Sequence, residues 1–220
     1  MVFIFLFINT SQVNAVALTG DTMGFFTDKT TGIATLTETI KWGSYKSILD
    51  PQSSLSYEGA AFDGVKENTE FKIGTLIYDN TVIYDTTSFA EYVSDNRLGN
   101  SFEVRLDFSA PSKSGGFVFN YDLSVIETDN SLPDSADRVS LIPAEGFNPS
   151  FLIGGTEFYF ELLGFKKDEK VYDNFFEQQE NSNSSVNLYA KISAVPVPSA
   201  VWLFITALSG FFLMGKRRAV

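Results

Sequence analysis

The longest alternation of apolar and polar positions runs from Phe102 to Val125. Phe102, Val104, Leu106 and Phe108 alternate with Glu103, Arg105 and Asp107; beyond a Pro/Gly-bearing link, Phe117, Phe119, Tyr121, Leu123 and Val125 alternate with Asn120, Asp122 and Ser124. Side chains two apart share a strand face, so the pattern predicts an antiparallel hairpin with one buried and one wetted face. At roughly 1.5 to 3 kcal/mol per fully buried large apolar side chain, this pair offsets much of its own ordering entropy. Shorter alternations flank it. A short strand is expected around Gly24-Phe25-Phe26, and one continuous strand over Ala34, Leu36, Glu38, Ile40 and Trp42, with the charge of Glu38 marking a rim. Further strands are expected at Ser53–Gly59 and at 70–78, the latter with Phe71 and Ile73 inward and Asp79-Asn80 as a turn before Val82-Ile83-Tyr84.

Residues 88–92 read as one helical turn or a loop edge, and 128–137 as a polar loop. Strands follow at 138–142, 151–153 and 156–165. Residues 166–185 are so polar that only Val171-Tyr172 and Phe175-Phe176 interrupt what should be the least ordered part, before Val186, Leu188, Ala190 and Ile192 form a last strand. Short strands at about ten-residue spacing, with no long helical periodicity and no repeat, predict an all-β fold: one antiparallel β-sandwich, jelly-roll-like.

The two ends follow different rules. Residues 2–8 are apolar, and Ala15-Val16-Ala17 offers the alternating small residues a signal peptidase accepts, so residues 1–17 read as a signal segment cut after Ala17, or after Ala15 as second choice. No Lys or Arg precedes the apolar run, so a basic residue is expected upstream of Met1 in the true reading frame; the other reading of this segment is an edge strand. At the far end Val195-Pro196-Val197-Pro198 precedes a charge-free stretch that includes Ala200, Trp202, Leu203, Phe204, Gly210, Phe211, Phe212 and Leu213, closed by Lys216, Arg217 and Arg218. A helix halted in a bilayer with its cations on the cytoplasmic side has this order, although spans usually take about 20 apolar residues. On length alone the alternative is a buried terminal helix or strand. The prolines favour an extended, accessible segment just ahead of the run.

The chain thus divides into a signal segment, one β domain over 18–194 and a tail over 195–220, with a hydrophobic helix expected in the tail. Its net charge is −11, from 16 basic and 27 acidic residues, and loss of Lys216, Arg217 and Arg218 would make the remainder more acidic. Nucleic acid is therefore not an expected partner, since phosphate binding needs a cationic face. Cysteine and histidine are both absent. That removes disulfides, thiolate nucleophiles, the Ser-His-Asp arrangement and the usual zinc ligands.

The remaining chemistry is carboxylate and aromatic. Asp129, Asp134 and Asp137 fall in one expected loop and form a calcium candidate, although no EF-hand pattern is present and acidic loops are usually just solvated; otherwise no cofactor is expected. Glu103/Asp107 and Glu157/Glu161 offer the paired carboxylates a glycosidase needs, but both pairs also suit an outward strand face. Tyr57, Tyr78, Tyr84 and Tyr172 are candidates for a sugar-stacking platform, against the commoner role of aromatics as core packing.

Two resemblances sharpen this reading. Val195-Pro196-Val197-Pro198-Ser199-Ala200-Val201-Trp202-Leu203-Phe204, Gly210 and the closing Lys-Arg-Arg resemble the PEP-CTERM sorting signal of Gram-negative bacteria, with Val197 in the place of the name-giving Glu. The resemblance implies export through Sec and signal peptidase, transient anchoring in the inner membrane, recognition by an exosortase near the proline motif, and removal of the tail on the way to the cell surface or extracellular matrix. Trp42-Gly43, Ser54-Leu55-Ser56-Tyr57-Glu58-Gly59, Phe71-Lys72-Ile73-Gly74-Thr75-Leu76 and Asn80 resemble the choice-of-anchor K domain, an exported β module; Tyr78 stands where that family commonly has His, so no imidazole role carries over. The expected function is a non-enzymatic surface or matrix protein associated with exopolysaccharide. The alternatives are a carbohydrate-binding module, calcium-dependent or not, and last a glycosidase.

Overall fold

A computed structural model of the chain describes residues 16–28, 35–42, 52–81, 101–126, 136–168 and 171–195. The described residues are all-β, in fourteen strands: β1 (Leu18–Asp28), β2 (Thr35–Thr37), β3 (Thr39–Trp42), β4 (Ser53–Gly59), β5 (Ala61–Val65), β6 (Glu70–Asn80), β7 (Ser101–Ala110), β8 (Ser114–Ile126), β9 (Ala136–Pro143), β10 (Ser150–Ile153), β11 (Thr156–Asp168), β12 (Val171–Asp173), β13 (Phe175–Gln179) and β14 (Ser182–Ala194). They build two antiparallel sheets. The first runs β13-β9-β8-β7-β1-β2, with β5 also on β1; the second runs β10-β11-β14-β6-β4-β3, with β12 also on β11.

The hairpin of strongest alternation forms as expected. Phe102 lies opposite Tyr121, Val104 opposite Phe119 and Leu106 opposite Phe117, and the inward side chains of β7 are buried. One core joins the two sheets, with Phe119 against Phe160 at 4.3 Å between ring centroids, Phe62 against Phe71 at 5.0 Å and Tyr57 against Phe102 at 5.1 Å. Each of these pairs spans the two sheets, so the shared apolar burial is what holds them together.

Several boundaries differ from expectation. The first strand is the long β1, bonded along most of its length to β7. The expected continuous strand over 34–42 breaks at Glu38: β2 joins the first sheet, β3 joins the second, and Leu36 is exposed. A carboxylate cannot cross the core unpaired, so the chain changes sheets there. Thr37 Oγ1 secures the bend by donating to the Thr39 carbonyl at 2.9 Å and accepting from its N–H at 3.3 Å. Asp79-Asn80 is no turn; both lie in β6, paired with Asn183 and Ser182. The polar stretch after Lys166 folds as β12, β13 and the start of β14. Val82, Ile83, Tyr84, the 88–92 segment, the apolar run at 2–8 and the tail from Pro196 onward lie outside the described residues, and no described helix is long and apolar enough to cross a membrane.

Candidate functional site

Burial of polar groups concentrates where the β13–β14 hairpin passes from one sheet to the other. Gln178 of β13 pairs with Asp137 of β9, while Ser182 of β14 pairs with Asn80 of β6. The Glu180-Asn181 turn between them, with Asn181 at φ +52°, therefore sits over the gap between the sheets. Asn80 and Asp137 are fully buried and Gln178 nearly so. Tyr78 Oη donates to Asp137 Oδ2 at 2.7 Å, and Asn80 Nδ2 donates to the Gln178 carbonyl at 3.2 Å. Both bonds cross from sheet to sheet. The Gln178 amide is fixed by Ser182 and Ser184, whose hydroxyls bond its Nε2 and Oε1.

Asn80 Oδ1 and both carboxylate oxygens of Glu180 are buried although Glu180 as a residue is half-exposed, and the Glu180 carboxyl lies within hydrogen-bonding reach of Asp137 and Asn80. Burial first, and then the Asp137 carboxylate close by, push the Glu180 carboxyl up to about 7, while the adjoining Asn80 amide acts in the opposite sense. Two carboxyls and an amide thus converge on one point.

Of the three carboxylates in the calcium candidate, only Asp137 is among the described residues. Asp137 is not a solvated loop carboxylate; it is a buried strand residue at the start of β9, and its partners come from distant strands. Asp129 and Asp134 lie outside the described residues. Among the described residues no three or more His, Cys, Asp or Glu side chains group as metal ligands. Sequence reasoning missed Asn80 and Glu180. The turn residues Glu180-Asn181 between two alternating polar segments were the available signal.

A second concavity of about 470 Å³ opens between the sheets, lined by Tyr121, Leu141, Phe147, Tyr159, Phe160 and Leu162 among others. It lies where the edge of β11 is uncovered, since β10 pairs only with Thr156–Tyr159 and β12 only from Phe165 onward. Tyr121 Oη is buried there without a partner, and burial pushes its phenol well above the usual tyrosine range.

Of the four tyrosines weighed for sugar stacking, two are buried. Tyr57 and Tyr78 are core residues, Tyr84 lies outside the described residues, and Tyr172 packs on Tyr189 while donating to Glu70. The carboxylate pairs considered for glycosidase chemistry lie on strand faces: Glu103 holds Arg105 at 2.6 Å, Glu161 holds Lys191 at 2.7 Å, and Asp107 Oδ1 accepts the Gly116 N–H at 2.7 Å.

Of the residues that carry the choice-of-anchor resemblance, all but Gly43 are described, and they lie on the adjacent strands β3, β4 and β6. Trp42 lies against Tyr78 at 5.6 Å, and Tyr57 Oη donates to the Ile73 carbonyl at 2.5 Å. At the two ends of the body, Ala17 is exposed just ahead of β1, and the Val195 N–H donates to the Glu157 carbonyl at 2.9 Å, directly after β14. Pro196, Val197, Pro198, Ala200, Trp202, Leu203, Phe204, Gly210, Phe211, Phe212, Leu213, Lys216, Arg217, Arg218 and Ala15 lie outside the described residues. No protein-family model and no curated protein matches the chain.

Proposed function

We propose that this chain is an exported, non-enzymatic surface or extracellular-matrix protein, released from a transient membrane anchor by exosortase processing at Val195-Pro196-Val197-Pro198 and associated with exopolysaccharide. One observation carries the reading. The last described strand, β14, is an interior strand between β11 and β6 and ends at Ala194, directly ahead of the proline motif, whose Val195 N–H still bonds the Glu157 carbonyl. A cut within or after that motif removes none of the described strands. The acidic balance and the carboxylates engaged on strand faces favour a structural role over catalysis. The connectivity is read as jelly-roll-like because the chain passes repeatedly between sheets, with β7-β8-β9 as a local meander.

The cleft beside Tyr121 favours a second reading, a binding module for a matrix saccharide, with Tyr159 on its rim as the stacking ring. Fractionation of cells with and without an exosortase tests the first reading. The processed protein should appear at the surface or in the medium only when the enzyme is present; equal release from both strains would count against it. A glycan array addresses the second, with binding lost on Tyr159→Ala as the supporting result.

A further inference from the structure

We infer that the cleft between the end of β9 and the uncovered stretch of β11 holds a neutral acyl group, its chain inside and its ester or amide carbonyl accepting from Tyr121 Oη. The strand register opens this cleft. β13 covers β9 only from Ala136 to Ser140, which leaves residues 141–143 as one lip. β10 reaches only to Tyr159 of β11 and β12 starts at Phe165, which leaves 160–164 as the other lip, bent by a bulge between Leu162 and Gly164. Between the lips lie Leu141, Phe147, Phe160, Leu162 and Phe165, while the polar Glu161, Asn174 and Ser193 sit at the mouth. The volume, about 470 Å³, is that of a small-molecule site. Of the buried lining side chains only Tyr121 carries a polar atom, and its Oη has no partner. A buried donor left unpaired costs free energy, which an acceptor on a ligand recovers.

Lining and charge together choose the ligand class. A sugar ring inside would leave hydroxyls unpaired among Leu141, Phe160 and Phe165, whereas an alkyl chain has none to satisfy. The protein's net charge of −11 and Glu161 at the mouth work against a fatty-acid anion, so the head is a neutral carbonyl. Phe147, on the loop between β9 and β10, lies over the Tyr121 ring at 5.3 Å and is only partly buried; its displacement brings the carbonyl to the hydroxyl. The inference is independent of export and tail cleavage. It also goes beyond the saccharide reading, in which a sugar stacks on Tyr159 at the rim. An acyl group arrives either free or as a substituent on such a sugar, and the test separates the two.

The test is calorimetry on full-length protein in lipid nanodiscs, with empty nanodiscs as the blank, titrated with methyl hexanoate, methyl octanoate and octanoate. The expected result is saturable one-site binding of the esters, tightening by up to about fourfold per added CH₂, and weaker binding of octanoate. Tyr121→Phe should weaken ester binding about three- to tenfold while the ligand-free unfolding midpoint does not fall. Leu162→Lys, at a partly buried position, should abolish it. Absence of ester binding would overturn the inference, as would unchanged ester affinity in folded Tyr121→Phe protein or octanoate bound as tightly as its methyl ester. Octanoyl glucose identifies the source. Binding tighter than that of methyl octanoate, with the gain lost in Tyr159→Ala, assigns an acylated saccharide, and equal binding assigns a free acyl ester. Glucose oligomers that bind where no ester does would overturn the inference and leave the saccharide reading standing.

Discussion

Tyr57 lies across Gly74: a Cβ added at position 74 would sit 2.3 Å from the Cζ of the tyrosine ring. The same ring crowds Gly24 from the facing sheet, and its hydroxyl ends on the Ile73 carbonyl. One side chain thus requires two glycines on opposite sheets. Gly74→Ala is therefore expected to cost about 1 to 3 kcal/mol or more, as overpacking of a well-filled core does. Gly24→Ala should act alike, and Tyr57→Leu should recover part of the loss in the Gly74→Ala background. Chemical denaturation of the parent, the two glycine variants, Tyr57→Leu and the double variant checks this; equal losses from Gly74→Ala with and without Tyr57 would contradict it.

The hydroxyl of Tyr121 offers the reverse case. It is buried and unpartnered, so Tyr121→Phe removes a group whose desolvation is not compensated. Stability should stay within about 0.5 kcal/mol of the parent or rise. A loss above about 1 kcal/mol on denaturation would show that the hydroxyl has a partner in solution.

Tyrosine ionisation sets an alkaline limit. Burial, then the Glu70 carboxylate, push the Tyr172 phenol up to about 12, and burial pushes Tyr57 and Tyr121 higher still. An unfolded tyrosine releases its proton near pH 10, so above that pH the unfolded chain holds fewer protons than the folded one. The stabilisation these phenols contribute is complete below about pH 10 and declines as pH rises through it. Denaturation midpoints should fall above about pH 10, and tyrosinate absorbance should lag behind that of the unfolded chain. Midpoints that hold level to about pH 11, with all tyrosines titrating near 10, would contradict the burial.

An N-terminal cut after Ala17 would have a measurable cost. Val16 is partly buried against the core, while Ala17 is exposed. Protein beginning at Val16 should be more stable than protein beginning at Leu18, by about 1 kcal/mol for a half-buried valine. Paired thermal unfolding of the two forms decides it, and equal melting would remove the advantage of a cut after Ala15.

The fold was legible wherever one strand face is dry and the other wet. In β7 the buried Phe102, Val104, Leu106 and Phe108 alternate with Glu103, Arg105 and Asp107, and the sequence pattern alone predicts both strand and face. β5 was not legible, because Gly64 at φ +62° breaks the period and sets the buried Phe62 and Val65 three apart. Beyond Phe175-Phe176, the end of β13 and the start of β14 are not legible as strand since Gln178, Ser182 and Ser184 are polar; their side chains bond one another. The alternation over 35–42 hid a change of sheet, since period two looks the same on either side of the Glu38 bend. For the candidate site, Asp137 stood out as a carboxylate near others in sequence, yet the groups that converge on it come from β6 and from the Glu180 turn, which only the sheet order brings together.

The account depends most on the tail being separable from the body whose described strands end at Ala194. Intact mass of the protein recovered from cells with and without an exosortase measures this directly. The account predicts a C-terminus within or just after Val195-Pro196-Val197-Pro198 when the enzyme is present, and retention of Trp202 through Arg218 when it is absent. Recovery of the same tail-bearing chain from both strains, with Trp202 and Phe211 protected in the folded core, would contradict it.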